Sequence, residues 1–281
     1  MTRIYTVAAL ALLNGAIAFA DPIKHEDVKI AAEGAKRLKY DIELGASTFE
    51  IRGGNIVNSF EATVDYDPDY YRFDTDFDLK GDIGTVSLET DMRSHRHINT
   101  DENRWDITIS NKFPAEFSLD AGACDATADF GGIPLEELSL NIGAASGEID
   151  FSTPNPVRMR MMNIDAGASS LHMYNLGNAN CEEYDIDCGA GSFEFDFRGA
   201  YTEETIIRLE IGVSSGDIVL PKGIAIQIRG DDDLFSTIDI HNRDLDEVRD
   251  GVWESDDFDS AKTRIVLDLQ VGMGSVDVRW R

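Results

Sequence analysis

The chain has 281 residues, with 53 acidic side chains against 25 basic ones and a formal net charge of −28. Such a surface repels nucleic acid and anionic lipid, which excludes both as expected partners and favours cations or basic polymers; keeping an exported protein soluble is the plainer use of the same charge. The three cysteines permit at most one internal bridge, so this is not a disulfide scaffold.

In chain order, the N-terminus reads MTRIYTVAALALLNGAIAFA (1–20). One basic residue, Arg3, precedes an apolar run from Ile4 to Leu13, and Ala18-Phe19-Ala20 offers small residues at −3 and −1. This predicts a secretory signal cleaved near Ala20 and an extracytoplasmic mature chain, periplasmic or cell-surface. No Cys follows the site, and no later run approaches the ~18 apolar residues of a spanning helix. Beyond it, only DVKIAAEGAKRL (27–38) has a helix-like pattern. Strand alternation dominates: YRFDTDFDLK (71–80), SFEFDF (192–197), IIRLEI (206–211), IAIQIR (224–229) and RIVLDLQV (264–271). The fold class is all-β.

A glycine turn recurs through these strands. Its copies are Ile42-ELGAST-Phe49, Leu79-KGDIGT-Val86, Leu119-DAGACD-Ala126, Ile142-GAASGE-Ile149, Ile164-DAGASS-Leu171, Ile186-DCGAGS-Phe193, Ile211-GVSSGD-Ile218 and Leu269-QVGMGS-Val276. The middle ones start 23, 22, 22 and 25 residues apart, a period that indicates a solenoid. The expected architecture is a single-stranded β-solenoid, β-helix-like, of stacked ~22-residue coils. Each coil would hold three short strands and three corners, with coils ~4.8 Å apart around one apolar column. Glycine is expected at the corners for sharp turning and positive φ. Residues 21–111 read as an N-terminal β region capping the stack, and 112–281 as the solenoid. The charged stretch 244–260 is expected to fold over the C-terminal end, anchored by Trp253 and Phe258.

The stretches LKYDIELGASTFEIRGG (38–54), NRWDITISNKFPAEFSLDAGA (103–123), IGVSSGDIVLPKGIAIQIRG (211–230) and GVWESDDFDSAKTRIVLDLQVGMGSVDVRW (251–280) resemble the toast-rack family of exported bacterial proteins. The C-terminal module is similar to that of the cell-wall-active antibiotic response proteins. The resemblance implies a β-solenoid or stacked-sheet fold, an envelope role and no catalytic residues.

Candidate chemistry is sparse. Gly212-Val213-Ser214-Ser215-Gly216 satisfies G-x-S-x-G, but the turn runs strand to strand where a nucleophile elbow needs strand to helix. In DYDPDYYRFDTDFDLKGD (65–82), Asp74, Asp76 and Asp78 fit a calcium loop, whereas Leu79 and Thr85 occupy its Gly and Glu positions. Alternation instead puts Tyr71, Phe73, Thr75, Phe77 and Leu79 on one face. His95 and His97 share a strand side between arginines, too few ligands for zinc. Cys181 and Cys188 can either pair across a turn or be buried separately. If coils stack on the first apolar residue of each copy, Asp150, His172 and Glu194 form a ladder, and Asp165 abuts Asp187. Such a ladder fixes register; its functional alternative is a weak divalent-cation site.

No catalytic residue, cofactor or metal is therefore assigned. The favoured function is a non-enzymatic envelope protein whose rigid acidic solenoid serves adhesion or protein–protein contact, with an envelope protein or cell-surface polymer as partner. The alternative is an accessory or sensor protein in envelope-stress signalling; a polysaccharide-active β-helix enzyme ranks last.

Overall fold

The computed structural model describes residues 23–93, 100–230, 236–241 and 245–281. The expected signal, His95 and His97 lie outside the described residues. The first seven strands are β1 (Lys24–Ile30), β2 (Arg37–Leu44), β3 (Ser47–Gly54), β4 (Phe60–Tyr66), β5 (Tyr71–Lys80), β6 (Ile83–Met92) and β7 (Asn103–Ser110). Five long ones follow: β8 (Ala115–Asp129), β9 (Leu135–Asp150), β10 (Met159–Tyr174), β11 (Cys181–Asp196) and β12 (Thr205–Leu220). The last are β13 (Ala225–Arg229), β14 (Ser236–Ile240), β15 (Leu245–Arg249), β16 (Val252–Ser255) and β17 (Arg264–Trp280). All belong to one mostly parallel sheet, wound as a β-solenoid. The helix-like 27–38 segment is the end of β1, a turn through Glu33 and Gly34 at positive φ, and the start of β2.

The long strands stack in parallel, each on the next from β8 to β12. Within each, the in–out alternation slips at the glycine corner: in β8, Gly122 and Ala123 are both exposed, and burial resumes at Cys124. That slip turns the strand into two arms facing a shared interior. First-arm side chains form the column Ile42, Leu119, Leu140, Ile164, Ile186, Leu209 and Leu269. Second-arm side chains form Ile51, Ala128, Ile149, Met173, Phe195, Ile218 and Val278. Every one is buried in a single cluster. At roughly 1.5–3 kcal/mol for each large apolar side chain, these columns dominate the cohesion of the stack.

The coil is simpler than three strands and three corners. One bent strand supplies two sides, and the returns at 151–158, 175–180 and 197–204 contain no strand. Asparagines replace ladder hydrogen bonds there. Asn155 Nδ2 donates to the carbonyls of Leu135 and Ala179 at 2.8 and 3.1 Å. Asn178 Nδ2 donates to Phe151 O, and Asn180 Nδ2 to Val157 O. Backbone carbonyls buried in the returns are thereby satisfied.

The corner glycines act by close approach, not mainly by positive φ. A Cβ on Gly167 would lie 2.4 Å from the carbonyl oxygen of Gly143 in the coil beneath, closer than real atoms come. Positive φ enters one step later, at Gly191 (φ +153), where a Cβ would meet Ser169 O at 1.7 Å.

Because these glycines stack on one another, they fix the register. Gly143 lies directly after Ile142, whereas Gly167 follows Ile164 by three positions, so Leu140, not Ile142, pairs with Ile164. Likewise Leu209, not Ile211, pairs with Ile186. Alignment on the first apolar residue is therefore off by two at both steps. A two-residue slip keeps every side chain on its own face, so alternation alone does not distinguish the registers.

At the N-terminal end, β2 and β3 form a coil on β8, with β6 stacked on β2 and β7 on β3. Antiparallel β5 then covers β6, β4 covers β7, and β1 covers β4. The Leu79–Val86 copy is the β5–β6 hairpin turn, with Gly81 at φ +64, and not a coil corner. Aromatics fill this end. Phe73 meets Trp105 and Tyr66 edge-on at 5.1 and 5.4 Å, and Trp105 Nε1 donates to Asn103 Oδ1.

The C-terminal end departs from chain order. β17 pairs with β12 on one side and with β13 and β14 on the other. The chain thus builds its terminal coil first, adds the antiparallel β15–β16 ribbon against β13, and returns to insert β17 beneath it. Phe258 is buried with Ala225 and Val266, its ring under the Arg264 guanidinium at 5.2 Å. Trp253 packs against the main core.

Candidate interaction surface

Stacking at ~4.8 Å converts each outward position of the coil into a row. On the first arm one row reads Glu89, Glu43, Asp120, Asn141, Asp165, Asp187, Glu210, Gln270. The expected Asp165–Asp187 neighbours are in it. Desolvation by the chain around it, then the charges of Glu89, Asp41, Asp120 and Asp91, push the Glu43 carboxyl above its ordinary range. Asn141 Nδ2 donates to Asp120 Oδ2 at 3.2 Å. None of the six carboxylates in this row forms an ion pair among the described residues.

The second arm carries another row: Asp106, Glu50, Thr127, Glu148, His172, Glu194, Asp217, Asp277, Asp239. The expected ladder of Asp150, His172 and Glu194 is corrected here. His172 does lie beside Glu194, with Nδ1 3.2 Å from its carboxylate, but the residue on its other side is Glu148. Asp150 lies two positions further on, opposite Tyr174, and accepts from Asn175 Nδ2 at 2.7 Å. Tyr174 reports the surrounding field: desolvation, then Glu148, Glu194, Asp150 and Asp196, raise its phenol pKa.

Basic side chains punctuate this second row. Arg52 reaches both Asp106 (2.7 Å) and Glu50 (3.0 Å). Arg279 pairs with Asp217, and His241 Nε2 lies 2.7 Å from Asp277. The interval between Glu50 and Glu148 holds only the short Thr127. There the surface opens into a groove of ≈ 410 Å³ lined by Glu50, Arg104, Asp125, Thr127, Ser146 and Glu148, among others. Ser146 Oγ donates to Asp125 Oδ1 at 3.2 Å. Glu50, Thr127, Glu148 and Arg104 were not singled out by sequence reasoning. Aligning the copies on their corner glycines would have brought the first three together; Arg104 is placed by the parallel β3–β7 pairing, which carries no local signal.

The remaining sequence candidates fall elsewhere. Gly212-Val213-Ser214-Ser215-Gly216 lies inside the continuous strand β12, without the strand-to-helix turn of a nucleophile elbow. Asp74, Asp76 and Asp78 are exposed along β5, while Tyr71, Phe73, Thr75 and Phe77 face inward and Leu79 runs out past the edge. Among the described residues, no three His, Cys, Asp or Glu side chains gather as a metal site. Cys181 and Cys188 are both on β11, roughly 23 Å apart at strand rise, and are buried, unbridged thiols, as is Cys124. Burial pushes the Cys181 and Cys188 thiols up to about 12 and Cys124 to about 11, which suppresses the nucleophilic thiolate. Among the described residues, no helix is long and apolar enough to cross a membrane.

Comparison with known proteins agrees with this architecture. Residues 19–157 match the family described as the N-terminal domain of toast_rack. No curated protein sequence matches the chain. Among solved structures, one named as a candidate cell adhesion protein from Clostridium sporogenes superposes with a TM-score of 0.50 at 17% identity, covering 92% of this chain and 100% of that one. A candidate adhesin from Bacteroides fragilis gives 0.39 at 9% identity, over 92% and 98%. A candidate lipid-binding protein from Parabacteroides distasonis gives 0.36 at 10% identity, over 92% and 97%.

Proposed function

We propose, from the premise that the chain belongs to the toast-rack family through residues 19–157, that it is a non-enzymatic extracytoplasmic protein whose acidic faces make contacts in the cell envelope. The observation that carries the reading is the pair of carboxylate rows on a single continuous stack. Spacing set by backbone hydrogen bonds holds the charges in a fixed array, so a partner meets a preorganised field and little ordering cost is left for binding. The secretory signal expected over residues 1–20 supports export. The neighbour named for cell adhesion shares the fold at 17% identity, and its name is in keeping with a contact role.

The test is fractionation of cells producing the full chain with a C-terminal tag. The expected result is a processed chain outside the cytoplasm, held to envelope material by contacts that high salt releases. An unprocessed cytoplasmic chain, or one that salt leaves attached, would overturn the proposal.

A further inference from the structure

The second-arm row places a carboxylate at nearly every coil, and the chain answers several of these with basic side chains of its own. Arg52 spans Asp106 and Glu50, His172 stands between Glu148 and Glu194, Arg279 meets Asp217 and His241 meets Asp277. The interval at Thr127 is different. Glu50 and Glu148 are two coils apart, about 10 Å from backbone to backbone, and Thr127 between them carries no charge. Glu148 forms no ion pair among the described residues, and the open groove coincides with this interval. The groove is also not uniformly acidic. Among the described residues, the exposed Arg104, which lines it from β7, has no ion pair, and the buried Oγ1 of Thr48 beside it has no hydrogen-bond partner.

We infer that this groove binds a peptide segment of a partner protein, its Lys or Arg side chain entering between Glu50 and Glu148 and a nearby carboxylate of the same segment meeting Arg104. The inference rests on the envelope-contact reading and adds to it a place and a partner chemistry. Two features favour peptide over an amino-sugar polymer. The equivalent neighbouring interval, between Glu148 and Glu194, is already occupied by the His172 imidazole, so the spacing accepts a basic side chain. Arg104 additionally asks for an anion within reach of the cation, which a peptide supplies and a polyamine chain does not. The hydroxyls of Thr48, Thr127 and Ser146 line the same groove and offer hydrogen bonds to a peptide backbone.

Titration calorimetry with the full-length chain tests this, using a short peptide containing Lys-Gly-Asp as probe, with its Lys-Gly-Asn counterpart and a glucosamine oligomer as comparisons. The Lys-Gly-Asp peptide is expected to bind best. Thr127→Lys places a resident cation in the interval and is expected to weaken binding about tenfold or more, with Glu148→Gln losing roughly as much. Arg104→Gln should erase the preference for Lys-Gly-Asp over Lys-Gly-Asn. The double variant Asp165→Asn/Asp187→Asn lowers the negative charge on the first arm and should leave affinity within about twofold. Equal losses from the first-arm variant and Glu148→Gln would make the attraction a property of net charge and overturn the site. Preferred binding of the glucosamine oligomer, or no peptide binding, would overturn the partner assignment. In those cases salt-releasable envelope attachment of the wild-type chain would still uphold the broader function, whereas cytoplasmic retention would sink that reading independently.

Discussion

The two arms of each coil repeat at one interval, yet their outer faces handle stacked like charges differently. On the first arm the carboxylates of Glu43, Asp120, Asp165, Asp187 and Glu210 stand in solvent, interrupted only by the amides of Asn141 and Gln270. On the second, His172 stands in the row, and Arg52, Arg279 and His241 reach its acids from positions two residues further along. Water screens the first row, where two charges 4 Å apart cost only about 1 kcal/mol. Several acids of the second row are met by a basic side chain, whereas the position between Glu50 and Glu148 holds only Thr127, and this makes that interval stand out. A diffuse field on one face and a discrete gap on the other come from the same backbone, differing only in which side chains occupy equivalent positions.

The comparison assumes that both arms hang on one corner, and the largest expected effect breaks that corner. Gly167→Val should prevent folding, because its Cβ would collide with the Gly143 carbonyl and backbone offers no easy retreat. Circular dichroism and proteolysis would show the loss. Core substitutions come next and should be alike on both arms: Ile164→Ala is expected to cost about 2–5 kcal/mol and Phe195→Ala about 3–5 kcal/mol in denaturant unfolding. A much smaller loss on one arm would mean that this arm is not packed as the other is.

Charge changes should then separate the arms by sign. Arg52→Ala removes a cation shared by two carboxylates and should destabilise by up to ~1 kcal/mol. Asp187→Asn relieves a like-charge contact and should stabilise by roughly a few tenths of a kcal/mol. The same sign from both would erase the distinction. The smallest effect is with pH. The Glu43 carboxyl is raised, mainly by desolvation and then by its acidic neighbours, and the His25 imidazole is raised by its hydrogen bond to Asp65. A group with a raised folded pKa binds more protons when folded. Its contribution is complete below the unfolded value and lost above the folded one. Melting temperature should therefore climb modestly as pH falls from above the His25 range toward the ordinary carboxylate range, and added salt should flatten the climb by screening the row.

Much of the fold could be read in the sequence, because alternation and a recurring glycine turn report strand, face and approximate period. The pairing of Asp165 with Asp187, the inward face of β5 and the seating of Phe258 all follow from those patterns. Three things did not. The choice between Asp150 and Glu148 beside His172 depends on a register that alternation leaves degenerate and that steric stacking of Gly143 and Gly167 decides. Insertion of β17 between β12 and β13 is a long-range choice with no local signature, since any strand of matching alternation could fill that place. The groove at Thr127 is a consequence of the same register, and it is invisible until Glu50, Thr127 and Glu148 are known to be consecutive.

Register is thus the claim on which the rows, the groove and the partner chemistry all depend, and paired cysteines measure it directly. Adjacent parallel residues are ~4.8 Å apart, within the ~4.4–6.8 Å Cα range a disulfide spans, while Cys124, Cys181 and Cys188 are buried away from competing exchange. Under mild oxidation, Glu148→Cys with His172→Cys should cross-link in nearly every molecule, and Asp150→Cys with His172→Cys should not. The reverse outcome would shift the coils by two residues and contradict the account.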